Sequence, residues 1–142
     1  MDYEITDYVS AEEYIELRKL VGWGEFPLEQ AAEGISHTTH LRCFRKDGQA
    51  IALLRVLWDH GYVVYIADVI VRPEYQGQGL GRALMDDAMA YVRSMLRPGW
   101  KVMVSLMSAR ARRNSIRNSD LPSVRTKTMV RACASGSSKF KW

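Results

Sequence analysis

Long apolar segments are missing from the sequence. The two longest near-continuous stretches, residues 50–58 and 62–71, are each interrupted by a charged residue, and both fall far short of the roughly 20 residues that cross a bilayer. The start of the chain, Met1 to Glu4, is acidic and lacks the basic residues and apolar run of a secretory signal. We therefore predict a cytoplasmic protein without a membrane partner.

Cysteines and patterns of metal-ligating residues are also sparse. The chain has two cysteines, Cys43 and Cys133, and neither has a Cys or His neighbour at zinc-ligand spacing. His37 and His40 stand three residues apart, but no third ligand follows at a suitable spacing. We predict two structural thiols and no metal site.

Charge is divided unevenly along the 142 residues. Residues 1–108 hold 11 basic and 15 acidic side chains, a net charge of −4, whereas residues 109–142 hold 9 and 1, a net charge of +8. The positive charge of the whole chain therefore comes from its last segment alone. A nucleic-acid partner, which basic patches favour, would have to bind there, and we treat it as a minor alternative.

One mixed α/β domain over residues 1–142 is predicted from the order of apolar patterns. Ser10 with Glu13 three residues on is a capping box that marks a helix start, and Asp47-Gly48 predicts a hairpin. Three strands in meander order should be antiparallel. The predicted elements of this part are a strand at Tyr3–Tyr8, helices from Ser10 and over Pro27–Ile35, and strands at Thr39–Arg45, Ala50–Trp58 and Tyr62–Val71.

A crossover unit follows the polar loop Arg72–Gln78. From Gly79 to Pro98-Gly99 apolar residues recur at helical spacing, and Lys101–Met107 then predicts a strand. Because a strand, a helix and a further strand are joined in this order, the two strands should be parallel. The predicted sheet is therefore mostly antiparallel with a central parallel pair.

Three glycines, Gly77, Gly79 and Gly81, stand at alternate positions where the strand gives way to the helix. Such residues let the backbone approach a ligand and turn successive N–H groups outward, which makes an anion cradle at the positive end of a helix. Arg82 adds a full positive charge in the first turn. An unliganded turn is the weaker alternative, because each glycine costs about 1 kcal/mol relative to alanine.

Two other glycine-rich nucleotide-binding motifs fit this loop less well. A dinucleotide fingerprint that begins at Gly77 needs a small residue where Arg82 stands, so a Rossmann loop is disfavoured. A Walker A loop needs Gly-Lys-Ser/Thr after its spacer, which the sequence lacks.

The segment Gln76-x-x-Gly79-x-Gly81 resembles the Q/R-x-x-G-x-G/A signature of the GNAT N-acetyltransferases, and an Arg-Pro-Glu-Tyr loop precedes it. The resemblance covers about residues 3–108. It implies central parallel strands that splay apart, and transfer of acetyl from acetyl-CoA, the cosubstrate, to an amine of a small molecule or peptide. The implied cofactor-binding residues are Gln76, Gly77, Gln78, Gly79, Leu80, Gly81 and Arg82 at the pyrophosphate, and Val69, Ile70 and Val71 along the pantetheine arm.

Asp68 is the candidate catalytic base. An amine with a reference pKa of about 10.4 must lose a proton before it attacks the thioester, and Asp68 directly precedes the residues implied to contact the cosubstrate. The alternative is a strand carboxylate that faces solvent. The N–H near Ile70 is the candidate donor to the carbonyl oxygen. The tyrosine that often protonates the thiolate in this family has no counterpart, since no tyrosine follows Tyr91.

The candidate substrate residues are Trp23, Glu25 and Phe26, which lie between the first two helices, the region that shapes the acceptor pocket in this family. Core packing is an equal alternative for the two aromatic residues. Two further interpretations of function stay open: an acetyl-CoA-binding protein without turnover, and a nucleic-acid-binding module that uses the basic segment. A homodimer is left open.

The segment 109–142 departs from the family pattern. It is rich in Arg and Ser, with apolar residues at no regular period, which is typical of a solvated extension. We favour a shifted reading frame, because codons allowed for residues 109–122, read two bases later, encode PGKEEFYQKFGFA, which resembles the segment after the fifth strand in the family. We then expect a helix near Arg112–Ser119 and one or two strands that join the sheet. An intact mass equal to that of the written sequence would exclude the shifted frame.

Overall fold

The computed structural model describes residues 1–106 and the backbone of residues 130–133. Strands of the described residues form one mixed sheet in the order β1 to β6. Only β4 and β5 pair in parallel among them, which confirms the predicted fold class. The elements are β1 Glu4–Thr6, α1 Ala11–Leu20, α2 Leu28–Ser36, β2 His40–Lys46, β3 Gln49–Trp58, β4 Val63–Val71, a short 3-10 turn Pro73–Tyr75, α3 Leu80–Met95, β5 Lys101–Leu106 and β6 Val130–Cys133.

The start of α1 is fixed by the predicted capping box. The Ser10 hydroxyl accepts a hydrogen bond from the Glu13 amide at 3.1 Å, and the Ser10 amide donates to the Glu13 carboxylate at 3.0 Å. Tyr14 and Leu17 are buried against the sheet. Leu20, which has the same helical spacing, is 41% exposed instead, because it is the last residue of the helix and the chain turns there.

Two hydrophobic clusters form on the sheet because neighbouring strand residues point to opposite faces. The first packs α3 against side chains such as Leu54, and the second packs α1 and α2 against side chains such as Leu53. Met95 is 52% exposed although it continues the helical spacing of apolar residues in α3, since it lies in the last turn of the helix. The sheet is thus covered by helices on both faces.

A β-bulge interrupts β4. Its pairing with β3 shifts by one residue between Leu53 and Arg55, and Asp68 in β4 has a backbone φ of +55°. Beyond the shift, Ile70 belongs to the cluster under α1, whereas Val69 and Val71 pack on the cluster under α3. The bulge therefore decides which face each of the last residues of β4 presents.

The parallel pair joins only part of β4. Its register runs from Val63 opposite Met103 to Ile66 opposite Leu106, while β4 continues to Val71. Within the described residues, the carboxyl-terminal part of β4 therefore extends past its last partner on β5. The splaying of the two parallel strands at this end of β4 stays a prediction, since the residues directly after Leu106 lie outside the described part of the chain.

A last strand follows on the other side of β5. The backbone of β6 pairs antiparallel with β5, from Lys101 opposite Cys133 to Val104 opposite Val130, so one strand from the basic segment joins the sheet. The helix expected near Arg112–Ser119 lies outside the described residues, and the reading frame stays a prediction. In the described part of the chain, no helix is long and apolar enough to cross a membrane.

Candidate functional site

The loop between β4 and α3 has the backbone conformation that its glycines predict. Gly77 and Gly79 have φ angles of +78° and +85°, in the left-handed region that favours glycine. A Cβ atom at either position would meet nothing within 4 Å, so backbone conformation rather than space requires glycine there. Gly81 lies inside α3 without a positive φ, and its hypothetical Cβ would make an ordinary contact with Val71 at 3.9 Å.

The beginning of α3 presents unpaired amides. Gly79 is the N-cap residue and offers no side chain, and the amides of the first helical residues, Leu80 to Arg82, precede the first bond of the helical ladder. That bond runs from the Ala83 amide to the Gly79 carbonyl at 3.0 Å. Gly77, Gln78 and the Arg82 side chain are exposed. Amides, helix dipole and guanidinium together make this turn chemically suited to an anion.

Two glutamine side chains brace the loop. The Gln76 side-chain amide donates to the Val71 carbonyl at 2.9 Å, and that of Gln78 donates to the Glu74 carbonyl at 3.4 Å. Gln76, predicted only as a residue of the signature, thus ties the turn to the end of β4. The sequence alone did not indicate this contact, because the backbone must first fold back on itself.

The carboxyl-terminal part of β4 carries the amides of Val69 and Val71 on the side away from β3. The Arg72 amide donates to the Ile51 carbonyl on β3 at 2.9 Å, and N–H groups alternate in direction along a strand. Val71 and Val69 therefore point their amides away from β3, while Ile70 points its amide toward β3. Of the three residues predicted to contact the cosubstrate, the two valines therefore direct their backbone donors away from β3. The donor predicted near Ile70 stays a prediction.

The alternative interpretation expected the Asp68 carboxylate to face solvent. Asp68 is instead buried, with only 8% exposure. Its Oδ1 accepts a hydrogen bond from Arg18 Nη1 at 2.9 Å, and its Oδ2 accepts from Arg55 Nη1 at 2.8 Å and from the Tyr14 hydroxyl at 2.6 Å. Burial and the hydrogen bond to Asp68 raise the pKa of Tyr14. One carboxylate and two guanidinium groups therefore form a buried network at the bulge.

Arg72, predicted to belong to a polar loop, is buried at the end of β4 with 5% exposure. Its Nε donates to the Ala50 carbonyl at 2.6 Å, and its Nη2 donates to Glu16 Oε1 at 2.7 Å. The residue that begins the loop is thus fixed to both α1 and β3. No sequence pattern indicated this, because both partners are distant along the chain.

A groove of about 630 Å³ lies beside the start of α2, next to the Asp68 network. Phe26, one of the predicted substrate residues, lines it. Trp23 packs instead on the guanidinium of Arg18, 5.2 Å from its ring centre, and Glu25 pairs with Lys19 at 2.5 Å on the surface. The lining residues are Tyr14, Phe26, Pro27, Glu29, Gln30, Glu33, Gly34 and Arg55.

Sequence inspection missed Glu29 and Glu33, which place two carboxylates at the groove. They lie four residues apart in α2 and therefore on one face of the helix. The spacing of Glu29 and Glu33, directly after Phe26 in the sequence, was the signal that could have indicated them. Together with the aromatic ring, these groups make a groove suited to a positively charged molecule.

The two histidines considered as metal ligands do not converge. His40 Nε2 lies 2.9 Å from the Asp87 carboxylate, which also accepts a hydrogen bond from Arg42, and its ring stacks on Tyr91. His37 is at the surface beside the end of α2. Within the described residues, no group of three potential ligands is close enough to hold a metal ion.

Comparison with known proteins connects this geometry to one family. The family model "Acetyltransferase (GNAT) family" matches residues 6–112. Among solved structures, a probable acetyltransferase of unknown function from methicillin-resistant Staphylococcus aureus is 28% identical and superposes with a TM-score of 0.69, with 75% of this chain and 80% of that chain covered.

Curated relatives match shorter parts of the chain. Histone acetyltransferase TAP1 of Glycine max is 35% identical over 77 residues, which are 46% of this chain and 33% of that protein. The uncharacterized N-acetyltransferase ycf52 of Porphyra purpurea is 27% identical over 92 residues, which are 62% of this chain and 53% of that protein. The chain thus spans about a third to a half of the length of these relatives.

Proposed function

Because the chain belongs to the GNAT acetyltransferase family, whose model matches residues 6–112, we propose that it is an N-acetyltransferase. The reaction is transfer of an acetyl group from acetyl-CoA to an amine of a small molecule or peptide. The observation that carries this proposal is the amide-lined turn at the start of α3, whose loop is tied to the end of β4 by the Gln76 side chain.

Acetyl-CoA fits the donor groups of this turn and edge. Its pyrophosphate is an anion, and residues 77–82 offer unpaired amides, a helix N-terminus and the Arg82 guanidinium. Its pantetheine arm carries amide groups, and the amides of Val69 and Val71 that point away from β3 can bind such an arm as an added strand. When bound, acetyl-CoA supplies the activated acetyl thioester.

The chain's own residues prepare both partners for transfer. The amides of β4 that point away from β3 can donate hydrogen bonds to a carbonyl oxygen that gains negative charge. On the acceptor side, the carboxylates of Glu29 and Glu33 attract an amine, which carries a positive charge at neutral pH until it loses its proton. Phe26 and Tyr14 provide the apolar walls of that groove. We retain a cytoplasmic location as a prediction.

A thiol-release assay tests the proposal. The full chain is incubated with acetyl-CoA and a panel of monoamines, polyamines and short peptides, and free coenzyme A thiol is measured. We expect amine-dependent release that saturates with both substrates, and a product heavier by one acetyl group. Binding of acetyl-CoA without thiol release across the panel would instead favour a protein that binds the cosubstrate and does not turn it over.

A further inference from the structure

We propose that Asp68 is a positioning residue, whose anchored carboxylate holds the β4 bulge in the form that presents the amides of Val69 and Val71 to acetyl-CoA. This inference rests on the proposed function. Asp68 then does not act as the catalytic base. Tyr14, Arg18 and Arg55 anchor its carboxylate.

Asp68 has a backbone conformation that needs an explanation. Its φ of +55° lies in the left-handed region, which side chains other than glycine rarely adopt. The other described non-glycine residues with positive φ, Asp47 and His60, lie in turns between strands. Asp68 lies inside a strand and is buried, so its contacts must stabilise the conformation.

Those contacts come from two separate elements. Tyr14 and Arg18 belong to α1, and Arg55 belongs to β3; all three donate to the carboxylate over 2.6 to 2.9 Å. Arg55 also donates to the Gly34 carbonyl at 2.6 Å and to the Thr38 hydroxyl at 2.8 Å. The bulge is therefore fixed to both helices that cover this face, including the wall of the acceptor groove.

The bulge decides which amides of β4 point away from β3. Below it, Ala67 pairs with Arg55, and above it Ile70 pairs with Leu53. If the lower register continued without the extra residue, Val69 would stand opposite Leu53 and turn its amide toward β3. A shift of one residue moves every later group to the opposite side. The direction of the two valine amides therefore depends on the bulge.

The geometry of the carboxylate is that of an anchor. Three donors occupy its two oxygens, out of about four acceptor positions that a carboxylate has. Its side chain extends toward α1, whereas the side chains of Val69 and Val71 pack toward α3. A base that exchanges protons with the amine would have to release one of these partners.

A set of variants separates anchoring from proton transfer. Asp68→Asn retains the size and tolerates left-handed backbone, Asp68→Ala removes the anchor, and Tyr14→Phe removes one donor while retaining the ring. The readouts are the acetyl-CoA dissociation constant by calorimetry, kcat against pH, and hydrogen exchange at the Val69 and Val71 amides. Exchange reports on the bulge even if no acetyl-CoA binds to the wild type.

If Asp68 acts by positioning the bulge, the variants should lose acetyl-CoA binding to different degrees. Asp68→Ala should weaken acetyl-CoA binding about tenfold, which corresponds to about 1.4 kcal/mol. Asp68→Asn should restore only part of it, because the Asn oxygen can accept from some of these donors while its NH2 group faces another donor. Tyr14→Phe should weaken binding less than Asp68→Ala, with the acidic limb of the kcat profile unmoved in Asp68→Asn and Tyr14→Phe. Hydrogen exchange at Val69 and Val71 should change most in Asp68→Ala, and less in Asp68→Asn and Tyr14→Phe.

Two results would overturn the proposal. One is an Asp68→Asn variant with wild-type acetyl-CoA affinity, kcat lowered about a thousandfold or more and the acidic limb lost, which identifies a base. The other is unchanged exchange at Val69 and Val71 in a folded Asp68→Ala or Tyr14→Phe variant. Failure of wild-type binding alongside the predicted exchange changes would reject the proposed function and keep the structural role of Asp68.

Discussion

The guanidinium of Arg72 donates a hydrogen bond to the carboxylate of Glu16 over 2.7 Å, across 56 positions of sequence. Since Arg72 also donates to the buried Ala50 carbonyl, it connects the start of the glycine loop to both α1 and β3. The loop is therefore held by its first residue as well as by its glycines.

Arg72→Met should lower the free energy of unfolding by about 2 kcal/mol, because the Ala50 carbonyl loses its side-chain donor in a buried position. Glu16→Gln should lower it by less than about 1 kcal/mol, because the Glu16 side chain is 52% exposed. Urea denaturation measures both. Arg97→Met is the matched control at an exposed position, and an Arg72→Met variant as stable as this control would contradict the prediction.

Gly79→Ala and Gly48→Ala should each destabilise the protein by about 1 kcal/mol, because alanine must adopt a left-handed backbone. The φ angles are +85° and +77°, and neither position places a Cβ within 4 Å of another atom, so the two variants carry a matched conformational cost. Thermal and urea unfolding compare them. Wild-type stability in Gly79→Ala would show that the loop does not hold this conformation in solution.

A charge change at the acceptor groove should alter the Michaelis constant for the amine. The double variant Glu29→Gln, Glu33→Gln should raise KM about three- to tenfold at low salt through lost electrostatic attraction, with kcat and acetyl-CoA affinity near wild type. Glu12→Gln, an exposed carboxylate in the first turn of α1, is the control. An equal rise in that control would place the effect in overall charge rather than in the groove.

Acid should weaken the link between α1 and β2. Hydrogen bonds from Arg45 lower the pKa of Glu13 from 4.5 to about 2. Because the folded pKa is the lower one, the stabilisation is complete above about pH 4.5 and lost as pH falls toward 2. We expect Glu13→Gln to cost about 1 kcal/mol at neutral pH, allowing for partial exposure, and almost nothing at about pH 2.

Urea unfolding of wild type and Glu13→Gln across this pH range measures the difference. A stability difference that stays constant from neutral pH down to the acidic limit would show that the ion pair is not the cause.

Features that depend on neighbouring residues were predictable from the sequence. The capping box needs only Ser10 and Glu13, and the left-handed turn needs only the glycines at 77 and 79. The parallel pair followed from the order of elements. These features are local or topological, so single-sequence patterns contain them.

Features that depend on register were not predictable. The bulge at Asp68 arises from how β4 pairs with β3, and its three donors lie 13 to 54 positions away. Asp68 was therefore considered as a base or a solvent-facing carboxylate, and Arg72 as a loop residue, before their buried partners were visible. A charged residue in an apolar strand is a signal of such networks, but it does not identify the partners.

The most direct test of the central claim is a calorimetric titration of acetyl-CoA into the full chain, with Gly79→Ala and Gly48→Ala measured beside it. We predict one site per chain in the wild type, unchanged affinity in Gly48→Ala, and binding weakened about tenfold in Gly79→Ala, since only that variant alters the amide-lined turn. No binding by the wild type at millimolar acetyl-CoA, or equal affinity in the two glycine variants, would contradict an acetyl-CoA site at the start of α3.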